Sequence, residues 1–144
     1  MVVDAIDSMK PKCQLLADCL SKGIPVVTCG GAGGKSDPTS IRSADLAEAT
    51  NDPLLRRVRK LLRKDFSFPQ RNKEPFGVRA VFSIQNPVFP WADGTVCEAP
   101  EEGESLRLDC ASGFGTSCAM TGSLGFAAAA EALKLVAVGA GGAE

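Results

Sequence analysis

The sequence predicts an α/β fold, and three observations predict it. A short apolar run, an amphipathic helical pattern and a second apolar run fit into about thirty residues, the spacing of a βαβ unit with parallel strands. A glycine-rich loop, Gly30-Gly31-Ala32-Gly33-Gly34, closes the second run. Hydrophobic residues make up 44% of the 144 and charged residues 23%, which suffices for one core and one domain.

The elements follow in order. Val2-Val3-Asp4-Ala5-Ile6 reads as a buried strand that runs through Asp7-Ser8 into a helix cap. Met9, Cys13, Leu16 and Leu20 then recur at steps of four, three and four, which is one face of a helix. Pro11 fits its first turn, and Gly23 ends it. Ile24–Cys29 is the second buried strand. Between the turn signals Asp37-Pro38-Thr39 and Asp52-Pro53, a short helix is expected around Ala44–Ala49. Asp52 caps the next helix, Pro53–Lys64, and Pro53 takes its first position. Val78, Ala80 and Phe82 alternate with Arg79, Val81 and Ser83 as a strand, and Asp93-Gly94 joins antiparallel edges. Gly113-Phe114-Gly115 leads into a terminal helix, where Glu131 and Lys134 leave the uncharged run too short to cross a bilayer. The expected organisation is a βαβ unit (1–34), a helical basic insert (35–75), a β-rich segment (76–116) and the terminal helix (117–138), all in one domain. The parallel sheet needs more strands than 1–34 supply, and they are expected on the N-terminal side.

Composition removes whole classes of chemistry. The chain has no histidine, so it has no Ser-His-Asp triad, no Cys-His dyad and no His-ligated metal. It has no tyrosine either. Sixteen Lys+Arg against seventeen Asp+Glu exclude a generally basic coat but leave room for a local patch. The six cysteines form no C-x-x-C pair, and residues 1–7 have neither a basic n-region nor a long apolar stretch. Reduced thiols used as core filler, in a cytoplasmic or organellar compartment with no membrane association, are the expectation. Cys97 and Cys110, which flank an acidic stretch, have no assigned role.

Three constellations carry possible chemistry. Asp4 and Asp7 stand at the C-terminal end of a parallel strand, where open α/β sheets bind ligands. Two carboxylates there suit Mg²⁺ and the nucleotide phosphates it brings, while Asp7 also suits a plain N-cap. The Gly30–Gly34 loop is neither a P-loop nor a G-x-G-x-x-G turn opening a helix, yet its amides can approach a ligand closely; a tight turn is the other reading. Helix Pro53–Lys64 carries Arg56, Arg57, Arg59, Lys60, Arg63 and Lys64 with no acid among them. A solvated helix interleaves Glu with Lys, so this face points to an anionic partner such as RNA. The alternative is a surface helix answering the acidic Glu98–Glu104 stretch.

An ordered series of motifs adds a resemblance. Val2–Ser8, Lys12, Ile24–Thr28 with the glycine loop, Asp37-Pro38-Thr39, Asp52-Pro53-Leu54, Val81-Phe82-Ser83, Asp93–Cys97 and Asp109–Gly115 together resemble the C-terminal half of the tRNA threonylcarbamoyladenosine dehydratases. These belong to the ubiquitin-activating-type adenylating superfamily. The resemblance implies the second half of a Rossmann-like, ThiF-type adenylating domain with a small antiparallel β extension and a C-terminal helix. It also implies ATP-dependent cyclisation of N6-threonylcarbamoyladenosine in tRNA through an adenylated carboxylate, with ATP and Mg²⁺ as cofactors. Asp7 matches the aspartate that contacts magnesium and ATP, and Ser8, Pro11 and Lys12 match adjoining nucleotide-side positions. The basic helix matches a tRNA-facing region. A homodimer and a sulfur-transfer or desulfurase-type partner are further implications. The family's glycine-rich ATP loop lies before the matched region, so a fragment or one part of a split enzyme, inactive alone, is expected. A non-catalytic RNA- or partner-binding remnant, or adenylation of a ubiquitin-like or sulfur-carrier protein, are the other functions compatible with these residues.

Overall fold

In a computed structural model, residues 1–71, 74–99 and 115–140 are described. Strand β1 (Val2–Asp4), helix α1 (Met9–Ser21) and strand β2 (Val26–Cys29) form the expected βαβ unit, with Val2, Val3 and Asp4 in parallel register with Val26, Val27 and Thr28. Gly23 takes φ +63° just past α1, a conformation that favours glycine. Strand β4 (Arg79–Ser83) then lies parallel to β2, and β3 (Ile41–Asp45) lies antiparallel to β4. The sheet order is β1-β2-β4-β3.

Side-chain alternation along these strands builds two layers. Val26, Ala80 and Phe82 face one way and pack with Cys13 and Leu16 of α1 and with Leu55, Val58 and Leu62 of α2 (Pro53–Asp65). Val27 and Val81 face the other way, against Met120, Leu124, Ala128 and Ala132 of α3 (Cys118–Ala140). A period of two in the strands thus meets a period near 3.6 in helices on both faces.

The expected helix around Ala44–Ala49 is corrected. Ile41–Asp45 is strand β3, and only Leu46–Glu48 turns, as a single 3₁₀ turn. Pairing of all five β3 residues with β4 outweighs the modest helix preference of Ala44, Ala47 and Ala49. Asp45 ends the strand: its carboxylate accepts from the Ala47, Phe76 and Gly77 amides at 2.8–2.9 Å. The segment 35–75 is therefore woven into the sheet as well as contributing α2. Asp93-Gly94 does turn a small hairpin, β5 (Phe89–Pro90) with β6 (Val96–Cys97), with Gly94 at φ +85°. The Gly113-Phe114 lead-in lies outside the described residues.

Helix α3 is long and apolar enough to cross a membrane by length and composition. In this fold one stripe of it covers the sheet, where Glu131 meets Arg79 of β4 at 3.5 Å and pairs along its own helix with Lys134 at 2.6 Å. Its opposite side exposes Phe126, Leu133, Val136 and Val138.

Candidate active site

The C-terminal ends of β1 and β2 open into a cleft of about 590 Å³. Asp7, following β1, and Gly30–Gly33, following β2, line it together, with Lys35, Pro53 and the Thr121–Gly125 stretch of α3 around them. The two constellations read separately in the sequence thus meet in one place, at the edge where open parallel sheets take ligands.

The carboxylates of Asp4 and Asp7, read as a pair, part ways. Asp4 is 1% exposed. Its Oδ2 accepts from Lys12 Nζ at 2.8 Å and Thr28 Oγ1 at 2.7 Å, and its Oδ1 accepts from the Ile6 amide at 2.9 Å. With three donors on it, one of them a buried ammonium, Asp4 is committed to the core and does not line the cleft. Asp7 is exposed and stands alone in the cleft. Among the described residues no group of three or more metal-ligating side chains exists. A single carboxylate still fits Mg²⁺, which is held by one or two carboxylates plus substrate phosphates.

Ser8 is the N-cap residue of α1 and its side chain makes no cap hydrogen bond. Ser8 and Pro11 are exposed and do not line the cleft. Lys12 is completely buried, and besides Asp4 its Nζ donates to the Ile6 carbonyl at 3.1 Å. The ammonium therefore clamps the β1–α1 turn that carries Asp7.

A second buried pair shapes the glycine loop. Asp52 Oδ1 caps α2 through the Leu55 amide at 2.9 Å, while Oδ2 accepts from the Gly31 amide at 2.9 Å and from Lys35 Nζ at 3.5 Å. Lys35 also donates to the Ser83 carbonyl at 3.1 Å, and burial lowers its pKa while Asp52 opposes the shift. A Cβ on Gly30 would collide with the Asp52 carboxylate, so the loop approaches this pair as only glycine permits. In the sequence Asp52 reads as a helix cap; the signal for its partner Lys35 is a lysine directly after a glycine-rich loop.

The six basic residues of α2 do not share one environment. Arg56, Lys60 and Lys64 are exposed, and Arg57, Arg59 and Arg63 are half-buried. Arg63 is engaged within the chain: its Nε donates to the Pro69 carbonyl at 3.0 Å and its guanidinium lies 5.1 Å from the Phe76 ring centroid. Of the acidic partner stretch, only Glu98 lies within the described residues. Cys13, Cys19, Cys29, Cys97 and Cys118 are free thiols; burial raises Cys13 to about 11 and raises Cys29 as well. Neither is an activated nucleophile. Cys110 lies outside the described residues.

No protein-family model matches the chain. It is 48% identical over 135 residues to the tRNA threonylcarbamoyladenosine dehydratase of Escherichia coli K12, covering 92% of this chain and 50% of that protein. The Haemophilus influenzae enzyme of the same name is 44% identical over 133 residues, with 92% and 48% covered. Among solved structures, one described as TcdA (CsdL) superposes with a TM-score of 0.84 at 41% identity, over 97% of this chain and 50% of that one. The E. coli dehydratase in complex with ATP gives 0.80 at 37% identity, over 99% and 50%. Its complex with AMP gives 0.78 at 38%, over 97% and 49%. The chain spans about half the length of these relatives. In sequence and in ThiF-type α/β fold alike, it is related over that half to the tRNA threonylcarbamoyladenosine dehydratases.

Proposed function

We infer that the chain contributes to ATP-dependent dehydration of N6-threonylcarbamoyladenosine in tRNA, as one half of an adenylating site. The observation that supports this best is the convergence of Asp7 and the Gly30–Gly33 loop in one cleft at the strand ends, in a chain 48% identical to a dehydratase. The chemistry asks little of a protein nucleophile. The substrate carboxylate oxygen attacks the α-phosphorus of ATP and pyrophosphate leaves; internal attack on the activated carbonyl carbon closes the ring, and AMP leaves. Both steps depend on positioning and on handling phosphate charge, which a chain without histidine can supply.

Asp7 is the residue that would hold Mg²⁺, which when bound neutralises phosphate charge. Ala32 and Gly33 border the same space, and their amides suit a nucleotide or its phosphates, the Gly31 amide being held by Asp52. Lys12 acts through the turn it clamps, so it is a positioning residue. Ser8 and Pro11 belong to the rim of that turn. Helix α2 faces the tRNA with Arg56, Arg57, Arg59 and Lys60, while Arg63 serves chiefly to anchor the Pro69 loop and Lys64 extends the surface. The similarity to bacterial tRNA-modifying enzymes supports a cytoplasmic place for it, an organelle being the alternative in a eukaryote.

The test is a chimera in which this chain replaces the matching half of the E. coli dehydratase. AMP release and ring closure on tRNA should persist. Asp7→Asn in the chimera should cut AMP formation by a factor on the order of 100, the scale of removing one preorganised electrostatic contact. Thermal stability should stay unchanged, because Asp7 is exposed. An Asp7→Asn chimera with undiminished AMP release would remove Asp7 from the site.

A further inference from the structure

Beside the cleft lies a second concavity that the resemblance does not account for. It has a volume of about 430 Å³ and runs along the start of α2, between Asn51, Arg56 and Arg59 on one side and Asn86 on the other. Pro53 and Pro87 line both this groove and the cleft, so the two are neighbours across a shared wall. Asn51 is fixed there: it takes φ +52°, and its Nδ2 donates to the Ile84 carbonyl at 2.7 Å. That holds the α2 entry against the segment after β4.

The groove is short of negative charge. Asp52 lines it, but its two oxygens are spent on the Leu55 and Gly31 amides and on Lys35, and the residue is 4% exposed. No described carboxylate forms an ion pair with Arg56 or Arg59. Arg59 is half-buried, and its one described hydrogen bond is a long one, from Nη1 to the Leu46 carbonyl at 3.5 Å. Burial, then repulsion from Arg63, lowers its basicity, and Arg56 adds to that repulsion against a partial offset from Asp52. An arginine stays charged through such shifts, so a partly desolvated guanidinium with like-charged neighbours and no paired anion favours binding one.

We propose that Arg56 and Arg59, with Asn51 and Asn86, form a phosphate-binding subsite adjoining the cleft, used for the phosphodiester next to the reacting nucleotide. This rests on the tRNA reading above and narrows it. The two arginines that face the groove grip phosphate beside the chemistry, while Lys60 and Lys64 make outer, longer-range contacts. The shared chemistry is phosphate, and it has two sources: the RNA backbone or the polyphosphate of a nucleotide.

Fluorescence anisotropy with a 17-nucleotide anticodon stem-loop RNA, over a salt series, separates them, alongside calorimetry with inorganic pyrophosphate. Arg56→Gln/Arg59→Gln should weaken RNA binding at least tenfold and flatten the log–log salt slope by roughly 0.7 to 0.9 per lost phosphate contact. Lys60→Gln/Lys64→Gln should weaken it less. Both pairs of side chains sit outside the core, so melting temperatures serve as the fold control. Unchanged RNA affinity in the first variant overturns the subsite; if the second variant then loses binding, the tRNA reading survives on the outer face. If the unaltered chain binds no RNA yet binds pyrophosphate through Arg56 and Arg59, the subsite stands with a nucleotide as its source and the tRNA reading falls. Binding of neither ligand overturns both.

Discussion

Lys12 shows how a charged residue can belong to a core. With Asp4 it forms an ion pair that has no exposure on either side chain, and Thr28, the Ile6 amide and the Ile6 carbonyl complete the coordination of both groups. Such a pair adds little against an apolar replacement of both partners, but removing one partner leaves a buried charge without compensation. Lys12→Met should therefore destabilise the fold by about 3–5 kcal/mol. The double variant Lys12→Met/Asp4→Asn should recover much of that loss in urea denaturation. If the single variant is neutral, water reaches Asp4 and the turn carrying Asp7 is looser than the geometry indicates. From sequence, Asp4 and Asp7 looked equivalent because only spacing was visible. The side on which each points depends on the β1–α1 turn, and that turn is set by Lys12, one helical turn further on.

At the scale of the element, α2 carries two duties on opposite sides. Leu54, Leu55, Val58 and Leu62 are buried against α1 and the sheet, and Asp52 with Pro53 fixes where the helix begins. This much was legible, since apolar residues at helical spacing after an Asp-Pro cap leave little choice of structure. Leu62→Ala should cost roughly 2–5 kcal/mol, given that Leu62 is fully buried. Lys64→Gln, exposed one turn from the core contacts, should fall within about 0.5 kcal/mol of neutral. Thermal melts of the two variants check the division; equal losses would mean that the basic face is itself structural. What the sequence concealed was the unequal use of that face. Arg63 turns to Phe76 and Pro69 through contacts made across a loop, and no helical periodicity reports those. Strand β3 was missed for a related reason: Ile-Arg-Ser-Ala-Asp has neither an apolar alternation nor a β-branched run, and its pairing with β4 is a contact between segments far apart in sequence.

Across the whole molecule, the cleft exists because two layers hold the sheet between them. α1 and α2 cover one face and α3 the other, and the Thr121–Gly125 stretch of α3 closes the cleft wall opposite Asp7 and the glycine loop. The small contact residues Ala128 and Ala132 let α3 lie close to β2 and β4, and Glu131 adds a polar attachment at the same face. The hydrogen bond from Lys134 is the chief reason the Glu131 carboxyl is held below its ordinary value of 4.5, with smaller help from Ser43 and Arg79 and with burial opposing. A carboxyl whose folded-state pKa is depressed stabilises fully above its unfolded value and loses that contribution as pH falls through the folded value. Lys134 lies on α3 itself, so only the contacts to Arg79 and Ser43 tie α3 to the sheet; that tie should be complete at neutral pH and weaken on acidification below about 4.5. Arg79 and Lys134 are both substantially solvent-exposed, so screening keeps the contribution to about 0.5–1 kcal/mol. Glu131→Gln should lower stability by that amount at pH 7 and remove part of the acid sensitivity. The loss should be accompanied by faster amide exchange in α3, while β1 and β2 stay protected. Equal acid profiles for the two proteins would show that α3 is held by Met120, Leu124, Ala128 and Ala132 alone, and the cleft wall would then be insensitive to the charge at its far end.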